Sequence, residues 1–175
     1  MRPTFSDVKE TGSDAFLHTP LGRAARLEAL EERKELEKEI HAYADDLKAR
    51  SEFPETLPNR PFDLDTLERR SPESNRVKRE EFDDLKTDLK RQWETATGMA
   101  WPKYQEDVYS ASGNLIRKAG NDYDAHHIHP LSLGGDNVAN NITPLHASQH
   151  FDRQGIHAPD SPYSKMVQRL EDNDL

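Results

Sequence analysis

The sequence predicts an α+β protein: a charged, mostly helical N-terminal region over residues 1–71, then a compact strand–loop–strand–helix unit within residues 72–175. Three observations carry this. Two long stretches before residue 98 repeat their apolar residues at helical spacing and contain no internal proline. After Gly98 the apolar residues come in brief extended runs separated by Gly and Asn. Six of the eight histidines then fall between residues 126 and 157.

Composition sets the outer limits. Leu, Ile, Val and Phe make up 33 of 175 residues, about 19%, and 24 Lys+Arg against 33 Asp+Glu leave a formal charge of −9. So little apolar material supports one modest domain, with much of the remaining chain as solvated helix or loop. No apolar run reaches the roughly 18–20 residues that a membrane span needs, so membrane insertion is not expected. Met1 to Asp7 lacks an apolar core segment, so no conventional signal peptide is expected and synthesis is placed in the cytoplasm. With no Cys, disulfide frameworks, thiolate zinc sites and cysteine nucleophiles are excluded, and any metal ligand must be His, Asp, Glu or Asn. The acidic balance argues against coating nucleic acid through the overall field, since even residues 100–175 carry 6 Lys+Arg against 10 Asp+Glu. An enzyme touching a few phosphates at one local site remains compatible with it.

The elements follow in order. Residues 1–18 read as a polar lead-in. Thr19-Pro20 pairs a capping hydroxyl with a proline at the first helical position, and a helix is predicted from Pro20 to about residue 50. Leu36, Ile40, Tyr43 and Leu47 draw one apolar stripe on it, while charge covers the other faces. Residues 51–70, with Pro54, Pro58 and Pro61 and few apolar side chains, read as an extended linker. Ser71 caps a second predicted helix from Pro72 to about residue 96, with the stripe Phe82, Leu85, Leu89, Trp93, Ala96 and Gly98 as its left-handed C-terminal cap. Ser112-Gly113-Asn114 between Val108-Tyr109 and Leu115-Ile116-Arg117 predicts a small hairpin.

The chemistry concentrates in the core motif, residues 123–157. A strand is expected over 123–128, a turn at Gly134-Gly135, and a second strand over 142–145 whose Pro144 marks it as an edge; a helix of about two turns from His146 to Gln154 then ends at Gly155. His146 and His150 stand four apart, the helical spacing at which two imidazoles can share an ion. Neutral imidazoles around a divalent ion leave positions open for phosphate oxygens, and a spare non-ligand His with a pKa near neutrality can take a proton from water. The set therefore suits metal-assisted phosphodiester hydrolysis.

The string His126-His127-Ile128-x-Pro130, Gly134-Gly135, Asn141-Ile142-x-Pro144-Leu145, His150 resembles the HNH nuclease motif of the ββα-metal (His-Me finger) fold. With the upstream Gln92-Trp93-Glu94, Thr97-Gly98, Trp101-Pro102 and Ile116-Arg117-Lys118, it is most similar to the nuclease domains that end bacterial polymorphic toxins such as Rhs and type VI secretion effectors. The likeness covers roughly residues 85–163 and leaves residues 1–84 outside it. It implies a metal-dependent endonuclease cutting DNA with little sequence preference, with His127 as general base and His126 and His150 as metal ligands. Asn141 would orient the base and brace the loop. Where the family often places a further helix ligand this chain has Gln154, so the third ligand is His157, His146 or water, with His157 favoured because it follows the helix end and can fold back. Arg117, Lys118 and Arg153 are candidate phosphate contacts, and Asp124 a candidate carboxylate behind a ligand histidine. The ion could be Mg, Mn, Ni or Zn.

The same resemblance implies an antibacterial effector, exported by a dedicated system, active in the target-cell cytoplasm and paired with a cognate immunity protein; on that reading the partner is expected to cover the site around His127 and His150. An HNH nuclease of a phage or mobile element would share the chemistry but usually carries a basic DNA-reading appendage. A competing class is a non-enzymatic, His-rich metal-binding interaction module with the charged helices as partner surface.

Overall fold

The computed structural model describes residues 15, 16 and 18–172. The polar lead-in over residues 1–18 and the N-terminal segment read for a signal peptide therefore lie almost wholly outside the described residues. The α+β expectation holds: long helices accompany two small antiparallel sheets. No helix among the described residues is long and apolar enough to cross a membrane.

The chain divides into two compact units between Lys38 and Glu39, and the boundary expected after residue 71 falls inside the second. Helix α1 (Pro20–Arg50) runs through the division. In the first unit Thr19 Oγ1 accepts from Gly22 N at 2.9 Å, the cap its sequence predicts. Solvent-facing Glu31–Lys34 and Glu35–Lys38 pairs follow at helical spacing.

The second unit holds everything else. Here the stripe of α1 is buried at Ile40, Tyr43 and Leu47. Arg50 at its C-terminal end donates to Gln154 O at 2.7 Å, and Glu39 accepts from Arg169 at 2.8 Å. Residues 51–70 are not the extended linker expected from their prolines and few apolar side chains. They form two 3₁₀ turns, Pro54–Thr56 and Leu64–Thr66, and of their few apolar residues Leu57, Phe62 and Leu64 are buried while Phe53 and Leu67 are half-buried. Three well-spaced anchors suffice to dock a segment that a residue count alone makes look polar.

Helix α2 (Pro72–Thr97) begins and ends as expected: Ser71 Oγ accepts from Ser74 N at 3.2 Å, and Gly98 takes φ 72° while its N–H returns to Glu94 O. Only Leu89 and Trp93 of its stripe are buried, in a cluster with Trp101 and Ile142; Leu85 stays exposed and Phe82 is half-buried. Strands β1 (Val108–Tyr109) and β2 (Leu115–Arg117) make the predicted hairpin, with Gly113 at φ 83° in its turn.

Strands β3 (Asp124–His127) and β4 (Ile142–Leu145) pair antiparallel, His126 opposite Thr143 and His127 opposite Ile142. All four β4 residues are buried. The loop between them needs both glycines. Gly134 sits at φ 103°, and a Cβ on Gly135 would stand 1.9 Å from His129 O. Arg70 ties that loop down, donating to Leu131 O at 2.7 Å and to Gly135 O at 2.5 Å. The helix after β4 is shorter than predicted: α3 is only Ala147–His150, and it is capped by His146, whose Nδ1 accepts from Ser148 N, while Ala147 N donates to the Tyr104 hydroxyl. Beyond it the chain reverses, with Ile156 N donating to Gln149 O at 2.7 Å and Gly155 pressed against His150 O. Helix α4 (Pro162–Asp172) closes the unit through Met166 and Leu170.

Candidate functional site

The reversal after α3 folds His157 back onto His150, as the proximity argument for His157 anticipates. Ring centroids of His126, His150 and His157 lie 4.9–5.3 Å apart, and one nitrogen from each falls within 4.8 Å of the other two, the spacing of a three-ligand metal site. His146 does not join them. It packs against Tyr104 and Tyr123, so the spacing of four to His150 serves a helix cap and not a shared ion.

The donor set suits a transition-metal ion. Burial, reinforced by the neighbouring imidazoles, pushes His126 well below the ordinary histidine range, and burial pushes His157 down to about 4. Both are thus neutral at pH 7, as a ligand must be. His150 Nδ1 lies 3.3 Å from Asp124 Oδ2, and a carboxylate only accepts, so Nδ1 carries the proton and Nε2 is left free toward His126. Burial pushes the Asp124 carboxyl up, but hydrogen bonds from His150 and Arg117 together outweigh it and hold it below the usual carboxylate range. Asp124 thus stands behind His150 as the sequence suggests.

His127, next along β3, points away from the cluster yet lines the same cleft, a volume of about 470 Å³. Its ring meets the edge of Phe82 at 4.5 Å, and its Nε2 lies 3.0 Å from Asn137 Oδ1. The Asn137 amide donates to Lys78 O and Glu81 Oε2, both at 2.9 Å and both acceptors only, so its oxygen faces His127 and accepts the Nε2 proton. Nδ1 of His127 is left with the lone pair. Burial, with a further push from the Arg79 charge, lowers His127 to about 4 against the hydrogen bond it donates to Asn137, which raises it.

Asn141 divides the double role expected of it. Its Oδ1 accepts from His129 N at 2.7 Å and its amide donates to His129 O and Asp136 O, so it braces the loop. The ring of His127 is held instead by Asn137, which nothing in Asp136-Asn137-Val138-Ala139-Asn140-Asn141 distinguishes from its neighbours in sequence. His129 is occupied with the fold, stacked on Phe62 at 4.4 Å and bonded to Leu133 O.

The predicted phosphate contacts are dispersed. Arg117 is bound to Asp124 at 2.7 Å on the flank of the cleft, whereas Lys118 and Arg153 are exposed and do not line it. The cation that does is Arg79 of α2, beside Phe82 and facing the histidines. It lies outside the stretch covered by the motif, and only its place on a capped helix, one turn before Phe82, hints at it in sequence.

No family model matches the chain. The chain is 37% identical over 97 residues to a protein named Toxin YxiD from Bacillus subtilis (strain 168), a match covering 55% of this chain. The matched stretch spans only 17% of the length of that relative.

Proposed function

We propose that this chain is a metal-dependent endonuclease of the HNH, polymorphic-toxin type, hydrolysing phosphodiester bonds of DNA. The observation that carries this reading is a set of three imidazoles with convergent nitrogens beside a fourth, His127, that is oriented by its own partner and stays outside the set. A structural metal site has no use for that fourth ring. Likeness to a protein named as a toxin supports a toxic effector role and, with it, an immunity protein.

His126, His150 and His157 would hold a divalent ion, which supplies charge stabilisation on phosphate oxygens and on the leaving alkoxide. The chain's own residues do the rest. His127 Nδ1 takes a proton from water as the water oxygen attacks phosphorus and a bridging P–O bond breaks. Asn137 keeps the ring in the tautomer that leaves Nδ1 basic and accepts from the imidazolium as it forms. Arg79 meets the phosphate, and although burial is the main cause of the lowered His127, the arriving negative charge offsets the smaller push from the guanidinium, so substrate strengthens its own base. An immunity protein covering His127 and His150 would close this cleft; a footprint confined to residues 20–50 would contradict that placement.

Plasmid cleavage by the purified chain decides the matter, run beside His127→Ala with Mg, Mn, Ni or Zn and with a chelator. Metal-dependent nicking that disappears in the variant, with metal binding retained, is the expected result. No cleavage of DNA or RNA under any metal, by a folded protein that binds metal, would leave the interaction-module reading in possession.

A further inference from the structure

The Nε2 atom of His126 is not free. It lies 2.8 Å from the hydroxyl of Tyr43 on α1, and that hydroxyl donates at 2.8 Å to Ile128 O. We infer that Tyr43 is a positioning residue that fixes the tautomer of His126, so that Nδ1, the nitrogen facing His150, keeps a lone pair for the metal ion. This rests on the metal site proposed above.

The argument is a count of protons. A phenol has one proton and a backbone carbonyl accepts only, so the Tyr43 proton goes to Ile128 O. The remaining contact then requires His126 Nε2 to donate to the Tyr43 oxygen. The opposite arrangement sends the Tyr43 proton to Nε2. It strips Ile128 O of its Tyr43 donor in a residue only 4% exposed, and it moves the imidazole proton to Nδ1. All it gains is a long 3.4 Å contact with His150 Nε2. Tyr43 is itself fully buried and edge-on to Tyr163 at 5.2 Å, so its hydroxyl has little room to turn elsewhere. In the favoured arrangement two lone pairs, His126 Nδ1 and His150 Nε2, face each other at 3.4 Å, a pairing that an interposed cation relieves. Asp124 and Tyr43 thus do the same work for two different ligands: each holds the far nitrogen so that the near one is bare. The relay also places a residue of the N-terminal helix behind the site, 83 positions from the histidine it sets.

The test reads ¹⁵N imidazole signals of the metal-free 175-residue chain, then Zn²⁺ affinity by calorimetry, for wild type and Tyr43→Phe. Expected are a His126 protonated at Nε2 in the wild type, a mixed tautomer in the variant, and zinc binding weakened about 10- to 100-fold. The circular dichroism spectrum of the variant should match that of the wild type. A His126 carrying its proton on Nδ1 in the wild type, or unchanged zinc affinity in the variant, would overturn the assignment. The wild-type signal needs no variant to fold. Neither readout uses nucleic acid, so a protein that fails to cleave DNA leaves this inference standing while it removes the nuclease.

Discussion

The candidate site is built from two regions that differ in kind. One is a single short stretch, residues 124–157, which supplies the four histidines, Asp124 and both asparagines on β3, on α3, in the loop between β3 and β4 and in the reversal after α3. The other is scattered along α1, α2 and the segment joining them, and supplies Tyr43, Arg70, Arg79 and Phe82. In the proposed reading the histidines of the first meet the ion and the substrate, while its asparagines and Asp124, together with the second region, hold, aim and charge them. Substitution at those histidines should therefore abolish chemistry, and at the residues that support them it should grade it.

The largest effect is expected at His150. His150→Ala removes the proposed ligand whose Nε2 lies 3.4 Å from His126 Nδ1 and leaves Asp124 with Arg117 and the Tyr104 hydroxyl. Zinc binding and cleavage should both fall below detection, measured by calorimetry and plasmid nicking. Retention of either would break the comparison at its strongest point. A smaller and more discriminating effect separates the two asparagines. Asn137→Ala frees the His127 ring but leaves the loop braced, so cleavage should drop about 10- to 100-fold with metal affinity unchanged. Asn141→Ala instead strands His129 N, His129 O and Asp136 O, and should cost about 2–3 kcal/mol in urea unfolding. If the two variants behaved alike, the division of labour between them would be lost.

The histidines of the first region are legible in sequence, whereas Asn137 and the second region are not, for a physical reason. His126, His127 and His150 sit on local elements whose ends are set by neighbours: Gly134-Gly135 at the turn between the strands and Gly155 at the reversal. Caps at Thr19, Ser71 and Gly98 likewise read directly, because capping is a contact between residues three or four apart. Tyr43 reads in sequence as one more apolar member of a helical stripe, and its hydroxyl gains meaning only when β3 arrives beside it. The 51–70 segment misleads in the same way, since Leu57, Phe62 and Leu64 become anchors only against surfaces made elsewhere. The overlong α3 is an error of another sort. Periodicity through Gln154 is weak, and the stop is imposed by the close approach of Gly155 to His150 O.

Burial of neutral imidazoles makes acid a probe of the whole arrangement. His127 and His157 are held at about 4 in the folded chain against 6.5 when free. An unfolded chain takes up those protons as pH falls below 6.5, and the folded one resists until about 4. Stability from this source is therefore complete above 6.5 and is lost progressively down to about 4. The melting temperature of the chelator-treated protein should decline across that window, and His157→Asn should flatten the decline. A melting temperature constant from neutrality to the lower limit would mean that these rings are not buried as described.

The smallest effect belongs to Arg79, and it bears most directly on the second region. An exposed guanidinium at the lip of the cleft holds no ligand and braces no loop, so Arg79→Ala should leave fold and zinc binding untouched. It should raise KM for DNA several-fold and flatten the slope of log affinity against log salt by about 0.9, the loss of one phosphate contact. Arg153→Ala, outside the cleft, should change neither quantity. Equal salt slopes for wild type and Arg79→Ala, or a loss at Arg153 matching that at Arg79, would return the phosphate contact to the residues that the motif alone suggests. The scattered region would then support the site without touching substrate at all.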